Sequence, residues 1–354
     1  MSAPTAIRVL ALLLVSSFAP LRGVALAQIG EPPTTILAAL EDYQLTPAED
    51  GAGFVTASGF EFGVLASEGV AVEVNGAGLL TDANVRFLGA MVGAATGYGE
   101  GIAAPVADFF RTRASELVGV GEVAVEVMEY LMYVDVSAGV IPEATVRFVA
   151  QYVDADRFGP PAHVLGPADA QHVVRLFTDL QCPYCAQFEA VGMPIVQNEL
   201  LPRGDVRLEL YHFPLKSIHP NATVAAEASE CMAALARERI DFVAGEAAFW
   251  TFQNALFTNQ DSWASRPDPL PLFIGIAEDA GLSTEGLSEC VRSGRYGAVV
   301  EESYRVAAQD LRLTGTPTVF LDGLKVGDYR DLNDYLRLMR LSSALAGEAE
   351  PVHP

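Results

Sequence analysis

Two cysteines two residues apart, Cys182-Pro183-Tyr184-Cys185, follow the apolar run Val173-Val174-Arg175-Leu176-Phe177 and open a segment that reads as a helix from Pro183 to about Asn198. This order of strand, motif and helix constrains the fold more than any other feature. It puts one thiol at a helix N-terminus and the other one turn further on. Unpaired backbone N–H groups and the positive end of the helix dipole stabilise an anion there. Pro183 suits the first turn, where its missing N–H would have had no partner. The thiolate is the nucleophile in disulfide exchange. Cys182 is therefore expected to attack and Cys185 to resolve the mixed disulfide. Half of a zinc site would need two more ligands, and the other cysteines, Cys231 and Cys290, show no paired spacing, so no metal is expected. A purely structural disulfide across so short a loop would stabilise little.

The wider stretch Phe177-Thr178-Asp179-Leu180-Gln181-Cys182-Pro183-Tyr184-Cys185 resembles the active-site segment of DsbA-like thiol–disulfide oxidoreductases. Tyr211-His212-Phe213-Pro214-Leu215 with His219-Pro220-Asn221-Ala222 resembles the second landmark of that family, and Thr314-Gly315-Thr316-Pro317-Thr318 its cis-proline loop. The likeness covers about residues 170 to 340. It implies an α/β chain with a thioredoxin-like fold and a helical insertion, filling the roughly one hundred residues between strand Val206 to Tyr211 and Pro317. A hairpin around Asp322-Gly323 and a helix from Asp331 to Leu341 would close the fold. The resemblance also implies a cis bond before Pro317, so that Thr316 offers its backbone to an extended substrate beside the sulfurs. Pro183, Tyr184, Thr316 and Pro317 are the expected substrate-binding residues. No cofactor is expected.

One departure from the family pattern is Leu176, where a buried acid often stands six residues before the first cysteine. Asp179 is either a replacement proton carrier or a solvated turn residue. Cys231 and Cys290 are read as two buried thiols or as a structural disulfide; the disulfide is preferred, since unpaired thiols would be a liability beside a reactive pair and some relatives carry a second pair at such places. His212 and His219 lie in the landmark loop, His219 reading as a loop or capping residue, while His163, His172 and His353 carry no visible site. Asn221 fits a helix cap better than a glycosylation acceptor. Trp250 and Trp263 read as insertion core or groove wall.

Residues 1–27 read as a signal peptide, with Arg8, the apolar run Val9 to Val15 and Ala25-Leu26-Ala27 as the cleavage site. A periplasmic or extracellular location is thus expected, where disulfides persist. The chain has 45 acidic and 22 basic side chains, a formal charge of -23. Such acidity argues against nucleic acid and anionic lipid as partners. The expected partners are secreted proteins with thiols or disulfides and a membrane redox partner for recycling; the oligomeric state is not legible.

Residues 28–153 are expected to form a small α+β N-terminal module, 154–168 a linker, 169–342 the DsbA-like domain and 343–354 a flexible tail. In the module, a helix spans Pro33 to Tyr43. A meander follows over Gly53 to Ala57, Phe60 to Ala66 and Val70 to Val74. Asp82 caps a helix through Ala95, and another spans Pro105 to Val118. Val123 to Val136 and Ala144 to Tyr152 fit strand or helix equally. With no cysteine or histidine in it, no redox chemistry is expected there. Three functions stay open: an oxidase, an isomerase or reductase that dimerises through the module, and a chaperone-like client-binding protein with secondary redox activity. Tyr184 and Thr316 resemble the isomerase-type members more than the oxidase type.

Overall fold

The computed structural model describes residues 28–49 and 51–353; the signal-peptide reading lies outside them. The chain divides into two compact units, one up to Tyr152 together with Leu336–Pro354, the other Val153–Tyr335.

In the first unit an antiparallel sheet takes the order Thr46–Pro47, Phe54–Val55, Glu61–Ser67, Val70–Leu79, Glu143–Ala150, Tyr130–Ser137, Val123–Val127. The two ambiguous segments are thus strands. Their side chains alternate between buried and open positions, as in Met132, Val134 and Val136 against Tyr133, Asp135 and Ser137. A period of two leaves one face of the sheet to be covered. Helices Asp82–Thr96 and Glu100–Leu117 supply the cover. They cross closely at Gly89, where a Cβ would lie 2.3 Å from the Ala103 carbonyl oxygen. Thr81, not Asp82, caps the first of them, its Oγ1 accepting the Asn84 N–H at 3.3 Å. The second begins five residues before the expected Pro105, which sits inside it.

Within the expected tail the helix runs on to Leu345 and a short strand follows. Glu350–Pro351 pairs with Glu61–Ser67, since that strand's outer edge has backbone groups free to accept it. Helix Leu332–Leu345 contributes to the first unit from Leu336 onward. There the buried Arg337 donates to the Ile29 carbonyl at 2.8 Å and Arg340 pairs with Glu31.

The second unit holds a five-stranded sheet in the order Leu324–Lys325, Thr318–Leu321, His172–Thr178, Val206–His212, His163–Leu165. The two middle strands His172–Thr178 and Val206–His212 run parallel, and the other pairings are antiparallel. Every residue of His172–Thr178 is buried. A central strand covered on both faces reads as a continuous apolar run, which is why the sequence shows one there. The exception, Arg175, is answered by Glu209 on the neighbouring strand at 3.0 Å.

The expected linker at 154–168 is instead part of this unit. Phe158 is fully buried against Phe177 and Phe320, and His163–Leu165 pairs with Leu208–Leu210. The prolines and glycines there break regular structure without freeing the chain, because Phe158 fills a gap on the sheet. The insertion is helical as expected: Ala222–Arg239, Phe242–Thr258, Gln260–Trp263, Leu270–Asp279, Leu287–Arg292 and Gly297–Arg305. Among the described residues no helix is long and apolar enough to cross a membrane.

Candidate active site

Strand His172–Thr178 ends four residues before Cys182, which has extended backbone angles and forms the N-cap of helix Pro183–Gln187. The helix continues to Leu200 through two π-helical turns, Phe188–Gly192 and Val196–Leu200. Both cysteines are free thiols. They share one apolar cluster with Phe252, Leu256, Phe257 and Trp263, so the insertion walls the motif from behind.

Residue exposure barely distinguishes the pair, 3% at Cys182 and 1% at Cys185. The hydrogen bonds do distinguish them. The Cys185 thiol donates to Cys182 and lowers its pKa; burial opposes this, and the Thr316 hydroxyl and the N–H groups of Cys185 and Tyr184 assist, so Cys182 is brought down to about 6. Burial pushes the Cys185 thiol well above its usual range, and the neighbouring Cys182 sulfur pushes it further. A group that ionises near neutrality thus sits beside one that stays protonated, the division of labour that exchange chemistry requires.

The Thr316–Pro317 peptide is cis, and the Cys182 thiol donates to the Thr316 carbonyl at 3.5 Å. Thr316 Oγ1 is buried with no partner at ordinary hydrogen-bond geometry. It nevertheless lowers the pKa of both sulfurs. A neutral thiol is a poor acceptor, so this hydroxyl gains a strong partner only when a sulfur ionises. Tyr184, between the two cysteines, is 67% exposed.

The loop before Cys182 is held by side chains that the sequence reading did not assign to the site. Gln260 Nε2 donates to the carbonyls of Leu180 and Cys182 at 2.8 and 3.1 Å. Gln181 donates to the Ala264 carbonyl at 2.7 Å and accepts the Asn221 N–H at 2.6 Å. Asn221 stands at the helix start but makes no capping bond; its amide donates to the carbonyls of Trp263, Ala264 and Arg266 instead. Those carbonyls belong to a turn distant in sequence, so only the fold could reveal the role.

Asp179 is not a solvated turn residue. Its side chain is fully buried and bonds to His219 Nδ1 at 2.7 Å. Leu176 is buried beneath the motif and leaves the usual acid position apolar. His163 also has a place in the unit: its two ring nitrogens face Glu230 at 3.2 Å and Glu246 at 3.0 Å, while its ring stacks on Phe249. His212 shares the same Glu230 oxygen at 2.8 Å. His172 ties the central strand to the hairpin turn at Asp322, 2.6 Å away. Cys231 and Cys290 are bonded to each other, with Cα atoms 5.9 Å apart, inside the insertion core. No group of three or more His, Cys, Asp or Glu side chains among the described residues is placed to hold a metal.

A family model described as thioredoxin matches residues 159–340. A Na(+)/H(+) antiporter NhaA of Salinispora tropica is 34% identical over 172 residues, 48% of this chain and 22% of that protein. A Rickettsia conorii protein provisionally named a protein-disulfide oxidoreductase is 22% identical over 166 residues, 47% of this chain and 55% of that one. The chain therefore spans about a fifth of the length of the first relatives it matches and about half of the second kind. Among solved structures, oxidised BdbD of Bacillus subtilis aligns with a TM-score of 0.43 and 23% identity, over 54% of this chain and 98% of that one.

Proposed function

Because this chain belongs to the thioredoxin family, in its DsbA-like form with a helical insertion, we propose that it exchanges disulfides with protein substrates through Cys182 and Cys185. The observation that carries the reading is the pair of free thiols, with Cys182 at a helix N-cap and 3.5 Å from the Thr316 carbonyl. In the oxidising direction a substrate thiolate attacks the Cys182 sulfur of the disulfide and Cys185 leaves as a thiolate. A second substrate thiolate then releases Cys182, and the protein is left with two more electrons. A membrane redox partner would accept those electrons. The reverse sequence reduces or rearranges a substrate disulfide. The Cys231–Cys290 bond supports a location outside the cytoplasm, where such bonds persist. Nothing of ion transport is carried over from the antiporters, which this chain matches over a small share of their length.

Tyr184 between the cysteines and Thr316 before Pro317 favour a second reading, isomerase or reductase, with the first unit used for dimerisation. The reduction potential of the Cys182–Cys185 pair separates the two: about -120 mV marks an oxidant and about -270 mV a reductant. The common premise is tested by Cys182→Ser, which should abolish turnover, and by Cys185→Ser, which should accumulate mixed disulfides with substrate. Full turnover by Cys182→Ser would refute it.

A further inference from the structure

The carboxylate of Asp179 lies fully buried between the end of the central strand and the loop that follows strand Val206–His212. Its Oδ1 accepts the Gln181 N–H at 2.7 Å. Its Oδ2 accepts the Leu215 N–H at 2.8 Å and the His219 Nδ1–H at 2.7 Å. Three donors converge on one side chain, an arrangement that suits an acceptor-only carboxylate. The main chain of the same residue reaches both cysteines. Its carbonyl accepts the Cys182 N–H at 3.0 Å, and its N–H donates to the Cys185 sulfur at 3.4 Å.

We propose that Asp179, held by His219, is a positioning residue that keeps its own backbone N–H aimed at the Cys185 sulfur, and so stabilises that sulfur whenever it carries charge. This rests on the oxidoreductase reading and goes beyond it. Cys185 is charged at one step. When it resolves a mixed disulfide it loses its proton to solvent, its thiolate attacks the Cys182 sulfur, the bond from Cys182 to the substrate sulfur breaks, and the substrate leaves as a thiolate. The two protein thiols are oxidised and the substrate disulfide is reduced. In the opposite direction Cys185 is the leaving thiolate of the same transition state. A donor at Cys185 therefore speeds both directions. Hydrogen bonds to charged groups are the strong ones, and a buried thiolate has few other donors. Asp179 acts through the backbone that its three side-chain hydrogen bonds hold in place. Leu176 leaves the usual acid position apolar, which makes this amide one of the few polar contacts Cys185 has.

The test forms the mixed disulfide of Cys182 with glutathione, using oxidised glutathione and the reduced full chain, and follows release of glutathione as Cys185 closes the ring. Asp179→Ala should slow closure about tenfold, as expected for losing one hydrogen bond to a charged group. The pH midpoint of Cys182 alkylation should move far less, since the groups that lower it are Cys185, Thr316 and the helix amides. A general loss of structure would disturb both. His219→Ala should slow closure as well, and His219→Asn, which keeps an N–H donor near the Nδ1 position, should restore it. Wild-type closure in a folded Asp179→Ala protein would overturn the proposal. If that variant does not fold, equal closure in His219→Ala and His219→Asn would do so. Failure of the wild-type protein to form the mixed disulfide at all would instead overturn the oxidoreductase reading, and the proposal with it.

Discussion

The Cys182 sulfur lies 3.5 Å from the Thr316 carbonyl oxygen, across 134 residues of sequence. That approach puts the Thr316 hydroxyl among the groups that stabilise the Cys182 thiolate. Reduced protein should accordingly show alkylation of Cys182 with a midpoint near pH 6, while Cys185 stays unreactive at neutral pH. Equal rates at the two thiols across pH would contradict the assignment.

Thr316→Val removes the hydroxyl and keeps the shape. The Cys182 midpoint should rise by about one pH unit, the equivalent of one hydrogen bond to a charged group. The same alkylation series checks it, and an unchanged midpoint would show that the hydroxyl does not reach the sulfur.

The Cys231–Cys290 bond joins residues 59 apart in sequence, so replacing both by alanine should cost about 4 kcal/mol, through the greater freedom of the unfolded chain. Thermal unfolding measures the loss. Exchange activity should survive largely intact, because neither Cys231 nor Cys290 is among the groups that set the charge of the reactive thiols.

Burial raises the pKa of Glu230, but His163 and His212 more than reverse it and hold the carboxylate at about 2. A depressed carboxylate contributes stability that is present above its ordinary pKa and lost as pH falls toward 2. His163 is the opposite case: burial lowers it, Glu230 and Glu246 more than offset this, and the net is a raised pKa. Its contribution is complete below its ordinary value and fades as pH rises through the folded one. Glu230→Gln should therefore cost about 3 kcal/mol near pH 6, since a buried pair is broken. The cost should shrink in acid. Denaturant titrations at pH 3 and pH 6 that gave equal losses would refute this account.

Gly89→Ala would put a methyl group 2.3 Å from the Ala103 carbonyl oxygen and force the two helices of the first unit apart. Overpacking of this kind costs about 1 to 3 kcal/mol. Calorimetry should show that unit melting earlier. Wild-type melting would mean that the helix crossing yields without cost.

The redox motif, its helix, the strand before it and the helical insertion were all legible in the sequence. The motif, its helix and the strand depend on neighbouring residues, Pro183 at a first helical turn and an apolar run for a strand covered on both faces, whereas the insertion followed from the family resemblance. The order of the three landmarks then supplied the Thr316–Pro317 loop. Segments whose periodicity suited strand and helix alike, Val123 to Val136 and Ala144 to Tyr152, became strands only because adjacent strands offered them partners.

What the tertiary structure decided lies in polar groups whose partners are far away in sequence. Asp179 meets His219, His163 meets Glu230 and Glu246, and Asn221 meets the carbonyls of a turn some forty residues on. Polar side chains carry no periodic signal, and a buried one is tolerated only where the fold brings it a partner. The same reason separates the thiols. The helix start already set Cys182 apart from Cys185 in the sequence, as attacking and resolving thiol. Their division into a thiolate and a protonated thiol rests on burial, on the hydrogen bond between them and on Thr316, none of which exists until the chain has folded.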